Sequence, residues 1–300
     1  MELHNFTELT NLASNASRQR TVAIVSAADR HILETALKAA KKQIARPLLI
    51  GSKSKISALL NELQADPKDF QIEEPSAHMT DAELAVQLIH SKDADLLMKG
   101  MLETSDFLRP VVNRQTGLGT GRIMSHIALQ SIPGYHKLVI NTDAAMCAHP
   151  DLNQKKEILL NAVHALHKLG YTSPNVACLC CKESVDAKII ETVHARTLQE
   201  MCEKNELGSC HVAGPISYDI AISKEIARLK HFDSPYCGDF DVLLQPNIHA
   251  GNILGKCLEV TCRASMAGIV VGAKAPVILT SRGAKADEKL NSIAFASAVA

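Results

Sequence analysis

Tryptophan is absent from the 300 residues, and the aromatic share is only 3%. A surface that stacks nucleobases needs more rings than that. An excess of either charge is also missing: 32 basic side chains face 32 acidic ones, a formal net charge of +0. No global field therefore draws the chain to nucleic acid or to an anionic lipid surface. No stretch approaches the ~20 apolar residues that span a bilayer. The longest apolar runs, such as Gly268-Ile269-Val270-Val271, are strand-sized. The first ten residues carry Glu2, Asn5 and Glu8, where a secretion signal would place basic residues and an apolar run. A cytoplasmic protein with no nucleic-acid or membrane partner is the expectation. Repeats and low-complexity tracts are missing too.

Cysteine is not scarce, but its nine copies are an odd number without a secretion signal, which points to reduced thiols. Cys178 and Cys181 form a C-x-x-C spacing inside an apolar run, with no second pair to complete a zinc site. Packing is the expected role there, and no metal is expected. The 13 histidines, including the pairs His164/His167 and His90/His126, lack metal-like company.

What is present is the composition of a folded protein, 46% hydrophobic and 21% charged. At this length two lobes are favoured, because single cores stop growing near ~250–300 residues. Strand-like and helix-like segments alternate. Residues 21–26, 47–51, 95–99, 137–140, 175–180, 241–244, 268–271 and 278–279 read as strands. Residues 29–42, 54–64 and 81–91 read as helices. The alternation implies βαβ units and a mostly parallel α/β sheet. Ligands of such folds bind at the carboxyl ends of strands. Polar residues and glycines directly after strand-like runs are therefore the first candidates for a site.

Four segments meet that test. Gly117-Leu118-Gly119-Thr120-Gly121-Arg122, followed by Ser125 and His126, has the glycines and the guanidinium that suit an oxyanion, and a helix is expected to start near Arg122. A flexible turn is the plain alternative, since neither the Walker ending nor the Rossmann spacing is present. Asn141-Thr142-Asp143 follows an apolar run, and Asp143 suits a base, an orienting group or a helix cap. Asp151 is expected to cap a helix from Leu152. Thr280-Ser281-Arg282, with Asp287 and Glu288 beyond, sets a hydroxyl and a fixed charge at a strand end. From spacing alone a helix cap with a solvated charge cluster is the favoured reading. Ala250-Gly251-Asn252 looks like a loop lining a substrate and leading into a helix.

Taken in order, these segments resemble the phosphate acetyl/butyryltransferase family, most closely its butyryltransferase branch. The likeness is carried by MKGMLETSDFLRPVV, TGLGTGRIMSHIAL, INTDAAMCAHPDLNQKKEILLNAV, HVAGPISYDIAIS, CGDFDVLLQPNIHAGNIL and AGIVVGAKAPVILTSR. The resemblance implies a two-lobed fold of the isocitrate/isopropylmalate dehydrogenase kind, with residues 1–140 and 276–300 in one lobe and 141–275 in the other. The loops at 117–122, 141–143 and 280–282 would line a crevice between the lobes. It implies a homodimer and the reaction acyl-CoA plus phosphate to acyl phosphate plus coenzyme A, with coenzyme A as substrate and no permanently bound cofactor. It implies catalytic roles for Ser281, Arg282, Asp143 and either Asp287 or Glu288, the last two as alternative bases. Substrate contacts fall to Lys99, Thr120, Gly121, Arg122, Ser125, His126, Asn141, Thr142, Gly251 and Asn252. Three positions depart from the family pattern: Gly119 replaces an arginine, Cys147 an asparagine and Ala284 an aspartate. They keep a non-catalytic relative that binds acyl-CoA or acyl phosphate as the alternative. A metal- and NAD-dependent decarboxylating dehydrogenase would share the fold, but needs an aspartate cluster where Asp239 and Asp241 stand as a lone pair.

Overall fold

The computed structural model describes residues 2–280 and 284–300. Contacts divide the chain into two compact units, one of residues 7–122 with 267–300 and a central one of residues 1–6 with 123–266. The division falls at 122/123 and 266/267, not after 140 and 275. The reason is pairing: residues 125–131 are laddered to residues 138–142 and so belong with them. Residues 267–300 pack with residues 7–122.

The strands among the described residues are β1 Arg20–Val25, β2 Ala45–Ile50, β3 Gln71–Glu73, β4 Leu96–Lys99, β5 Ser125–Ser131, β6 Leu138–Thr142, β7 Asn175–Leu179, β8 His211–Ile216, β9 Val242–Leu244, β10 Ser265–Val271 and β11 Val277–Ile278. In the first unit the order is β3-β2-β1-β4-β11-β10, parallel except for the β10–β11 pair. Val22, Ile24, Leu48, Leu97 and Ile278 are fully buried, which is why these strands read as continuous apolar runs. Asp29 caps the helix Arg30–Lys41 by accepting from Ile32 N. The last helix, Ala286–Val299, is apolar on most sides, and it is buried from Lys289 to Val299 with few gaps. Fully buried Phe295 alone is worth about 1.5–3 kcal/mol.

In the central unit the order is β5-β6-β9-β7-β8, with β5 antiparallel and the rest parallel. Its core packs Val139, Ala177, Ile216, Phe240 and Leu243. The helix Leu152–Lys168 opens with Asp151 and Gln154 in a reciprocal capping box, as the sequence implied. Two expectations need correction. No helix starts near Arg122; the chain runs from the glycine loop straight into β5, whose backbone is satisfied by the β6 ladder. Ala250, Gly251 and Asn252 are not a loop but the first turns of the helix Ile248–Lys256, started by Asn247 as cap. No helix of the described residues is long and apolar enough to cross a membrane.

Candidate active site

In the central unit the site is built on the carboxyl end of β6. The antiparallel register pairs Ala128 with Asn141, so two steps on His126 comes opposite Asp143. There Thr142 Oγ1 donates to His126 O at 2.7 Å, and His126 N donates to Asp143 Oδ2 at 3.0 Å. Asp143 Oδ1 accepts from Ala145 N at 2.7 Å and from Met146 N at 2.8 Å. The carboxylate thus holds three backbone donors and shapes the turn after the strand, a capping role without a helix. Asn141 is fully buried and satisfied on both sides: Nδ2 donates to Gly251 O at 3.1 Å, and Oδ1 accepts from Gln245 Nε2 at 2.8 Å. Asn252 Nδ2 donates to Ala144 O at 3.1 Å. Ser125 Oγ accepts from Asn161 Nδ2 at 2.9 Å.

Ser125, His126, Asn141, Thr142, Asp143, Gly251 and Asn252 are therefore one connected group. Its supports, Gln245 and Asn161, were not among the sequence candidates. Gln245 directly follows β9, so the strand-end rule could have found it. Asn161 is a buried amide among Ile158, Leu159, Ala162 and Ala165 of its helix, a signal that packing alone does not explain. His126 lies almost fully buried, with its Nδ1 lacking a partner. Burial, foremost, pulls its pKa below the usual 6.5, aided by the charge of Lys256 and opposed by Asp143. Its imidazole is accordingly neutral. Cys147 donates to Met124 O across 3.7 Å. Burial, then the charge of Asp143 and a hydrogen bond to it, push this thiol up to about 12.

The first unit carries the other candidates. Lys99 ends β4, next to Val25 of β1, and its Nζ donates to Leu102 O at 2.9 Å. Met98 pairs with Ile278 of parallel β11, so Thr280 leaves the sheet at the same edge as Lys99. Ser281 and Arg282 lie outside the described residues. Asp287, exposed, and Glu288, half-buried, occupy the first turn of the helix Ala286–Val299. In the glycine loop Thr120 Oγ1 donates to Gly272 O at 2.6 Å, and Gly121 adopts φ +83°, where a side chain would strain the backbone. Arg122 is exposed beside it, and Gly119 forms an isolated bridge to Ala273. A Cβ on Gly119 would meet nothing within 4 Å. Asp239 and Asp241, the pair considered for a cation, are both engaged by buried Lys137 Nζ in the central unit, at 2.8 Å each.

The sequence profile of the family described as phosphate acetyl/butaryl transferase matches residues 77–297. The chain is 40% identical to a probable phosphate butyryltransferase of Bacillus subtilis (strain 168), over 96% of this chain and 97% of that one. It is 37% identical to a phosphate butyryltransferase of Clostridium acetobutylicum, covering 95% of each. The crystal structure of a branched-chain phosphotransacylase from Enterococcus faecalis V583 aligns with a TM-score of 0.82 at 30% identity, covering 94% of this chain and 99% of that one.

Proposed function

The chain belongs to the phosphate acetyl/butyryltransferase family, and from that premise we propose that it moves a short-chain acyl group between coenzyme A and inorganic phosphate. One observation carries the reading: the family match spans residues 77–297 and so contains every candidate residue from Lys99 to Glu288.

Direct displacement suits these side chains. Cys147, raised to about 12, stays a protonated thiol near neutral pH and is a poor nucleophile. No G-x-S-x-G elbow offers a serine instead. In the direction of thioester synthesis, the coenzyme A sulfur attacks the acyl carbonyl carbon. The S–C bond forms, the C–O bond to phosphate breaks, and the thiol proton goes to Asp287 or Glu288. That proton is easily removed near neutral pH, because a thiol pKa lies near ~8.5. Ser281 donates to the oxyanion, while Arg282 and Arg122 offset phosphate charge. Asp143 keeps the turn after β6 in shape. The remaining candidates position the substrates, which supplies much of the rate. A homodimer working in the cytoplasm goes with this reading, and sedimentation of the purified chain tests the first of these.

The test of function is thiol release from butyryl-CoA. Release that requires inorganic phosphate, and that varies across acetyl-, propionyl- and butyryl-CoA, supports the transferase and identifies its acyl chain. Tight acyl-CoA binding with no release would replace it with a binding protein.

A further inference from the structure

The helix Leu152–Lys168 follows directly on the segment after β6, and its fourth residue is a lysine that the proposed chemistry leaves unused. Lys155 is only 4% exposed. Its Nζ lies 3.2 Å from Nδ1 of His194, on the helix Ile190–Glu203. Glu191, Cys180 and Cys178 act on it through space, without a hydrogen bond to it. Lys137, also buried, is different: its ammonium is engaged by Asp239 and Asp241. His194, Glu191 and Cys180 beside it are each partly exposed.

We propose that Lys155 is a site of self-acylation, taking its acyl group from acyl phosphate with His194 as the proton acceptor; this rests on the transferase reading, in which acyl phosphate is one of the reactants. The amine lone pair attacks the acyl carbonyl carbon. The N–C bond forms, the C–O bond to the phosphoryl group breaks, and phosphate leaves with the electron pair. The surplus proton on nitrogen passes to Nδ1 of His194. The product is a neutral amide, which a buried position tolerates better than an ammonium.

The charges of the pair agree with these roles. Burial, foremost, pulls the Lys155 ammonium below its ordinary value against the pull of Glu191, Cys180 and Cys178. Burial and the Lys155 charge likewise hold His194 low, opposed by Glu191 and Asp151, so the imidazole is free to accept.

The experiment supplies synthetic butyryl phosphate to the whole protein without coenzyme A and reads butyrylated peptides by mass spectrometry over time. Lys155 is expected to acquire one butyryl group at least about tenfold faster than exposed Lys55, a modest share of what a positioned proton acceptor contributes. His194→Gln should bring the rate at Lys155 down to that of Lys55, with the melting temperature and phosphate-dependent coenzyme A release kept. Labelling that merely follows exposure, or an advantage at Lys155 that survives His194→Gln, overturns the proposal. Because the acyl phosphate is added, labelling does not need turnover, and the coenzyme A assay judges the transferase reading separately.

Discussion

Gly119 has open space where its Cβ would be. A side chain can therefore leave the backbone there, and an arginine would add one charge-assisted phosphate contact of about 1.5–3 kcal/mol. Gly119→Arg is expected to lower the KM for phosphate by about tenfold or more; an unchanged KM would remove the loop from the phosphate site. Arg282 comes two residues after Thr280 in the sequence. Arg282→Ala should lower kcat/KM by ~10²-fold or more, the scale of one lost transition-state donor. Kinetics like those of the native chain would take Arg282 out of the chemistry. Side-chain partnerships were the part least legible in the sequence. Asn141 and Asp143 were recognisable as candidates from their strand-end position. The commitment of Asn141 to Gly251 and Gln245 was not, because those bonds join segments about a hundred residues apart.

At the scale of elements, periodicity and apolar runs located β1, β2, β4, β6, β7 and β9 to within a few residues, since a parallel strand buried on both faces leaves an unbroken apolar signature. β3 was missed because three residues carry too little pattern, and β8 because its Gly214-Pro215 reads as a turn. Residues 250–252 read as a loop leading into a helix, whereas they lie inside the helix Ile248–Lys256; Gly251 argues against helix on propensity alone. Packing explains that glycine: a Cβ there would sit 2.5 Å from Asp143 O. Gly251→Ala is therefore expected to push this helix off the turn after β6, with a loss of about 1–3 kcal/mol and of activity together. Urea unfolding and turnover measured on the same preparation check this, and an alanine variant like the native chain in both would refute the close approach.

For the molecule as a whole, length and alternation led to two α/β units, while the boundary at 122/123 depended on the β5–β6 ladder, a pairing that composition does not announce. Stability should depend on pH through two imidazoles, one buried and one partly exposed. His126 and His194 both titrate below 6.5 in the folded chain, so the unfolded chain binds their protons more readily. Their contribution is whole above that value and is lost as pH falls below it. The melting temperature is expected to drop between about pH 7 and about pH 5, and less steeply in His126→Gln. An equal slope in the variant would contradict the neutral, sealed imidazole.

The transfer itself is tested most directly in reverse, by mixing the purified chain with butyryl phosphate and coenzyme A and following thioester absorbance. The account predicts thioester formation in step with phosphate release, one for one. Folded protein that binds both substrates and forms no thioester would contradict it.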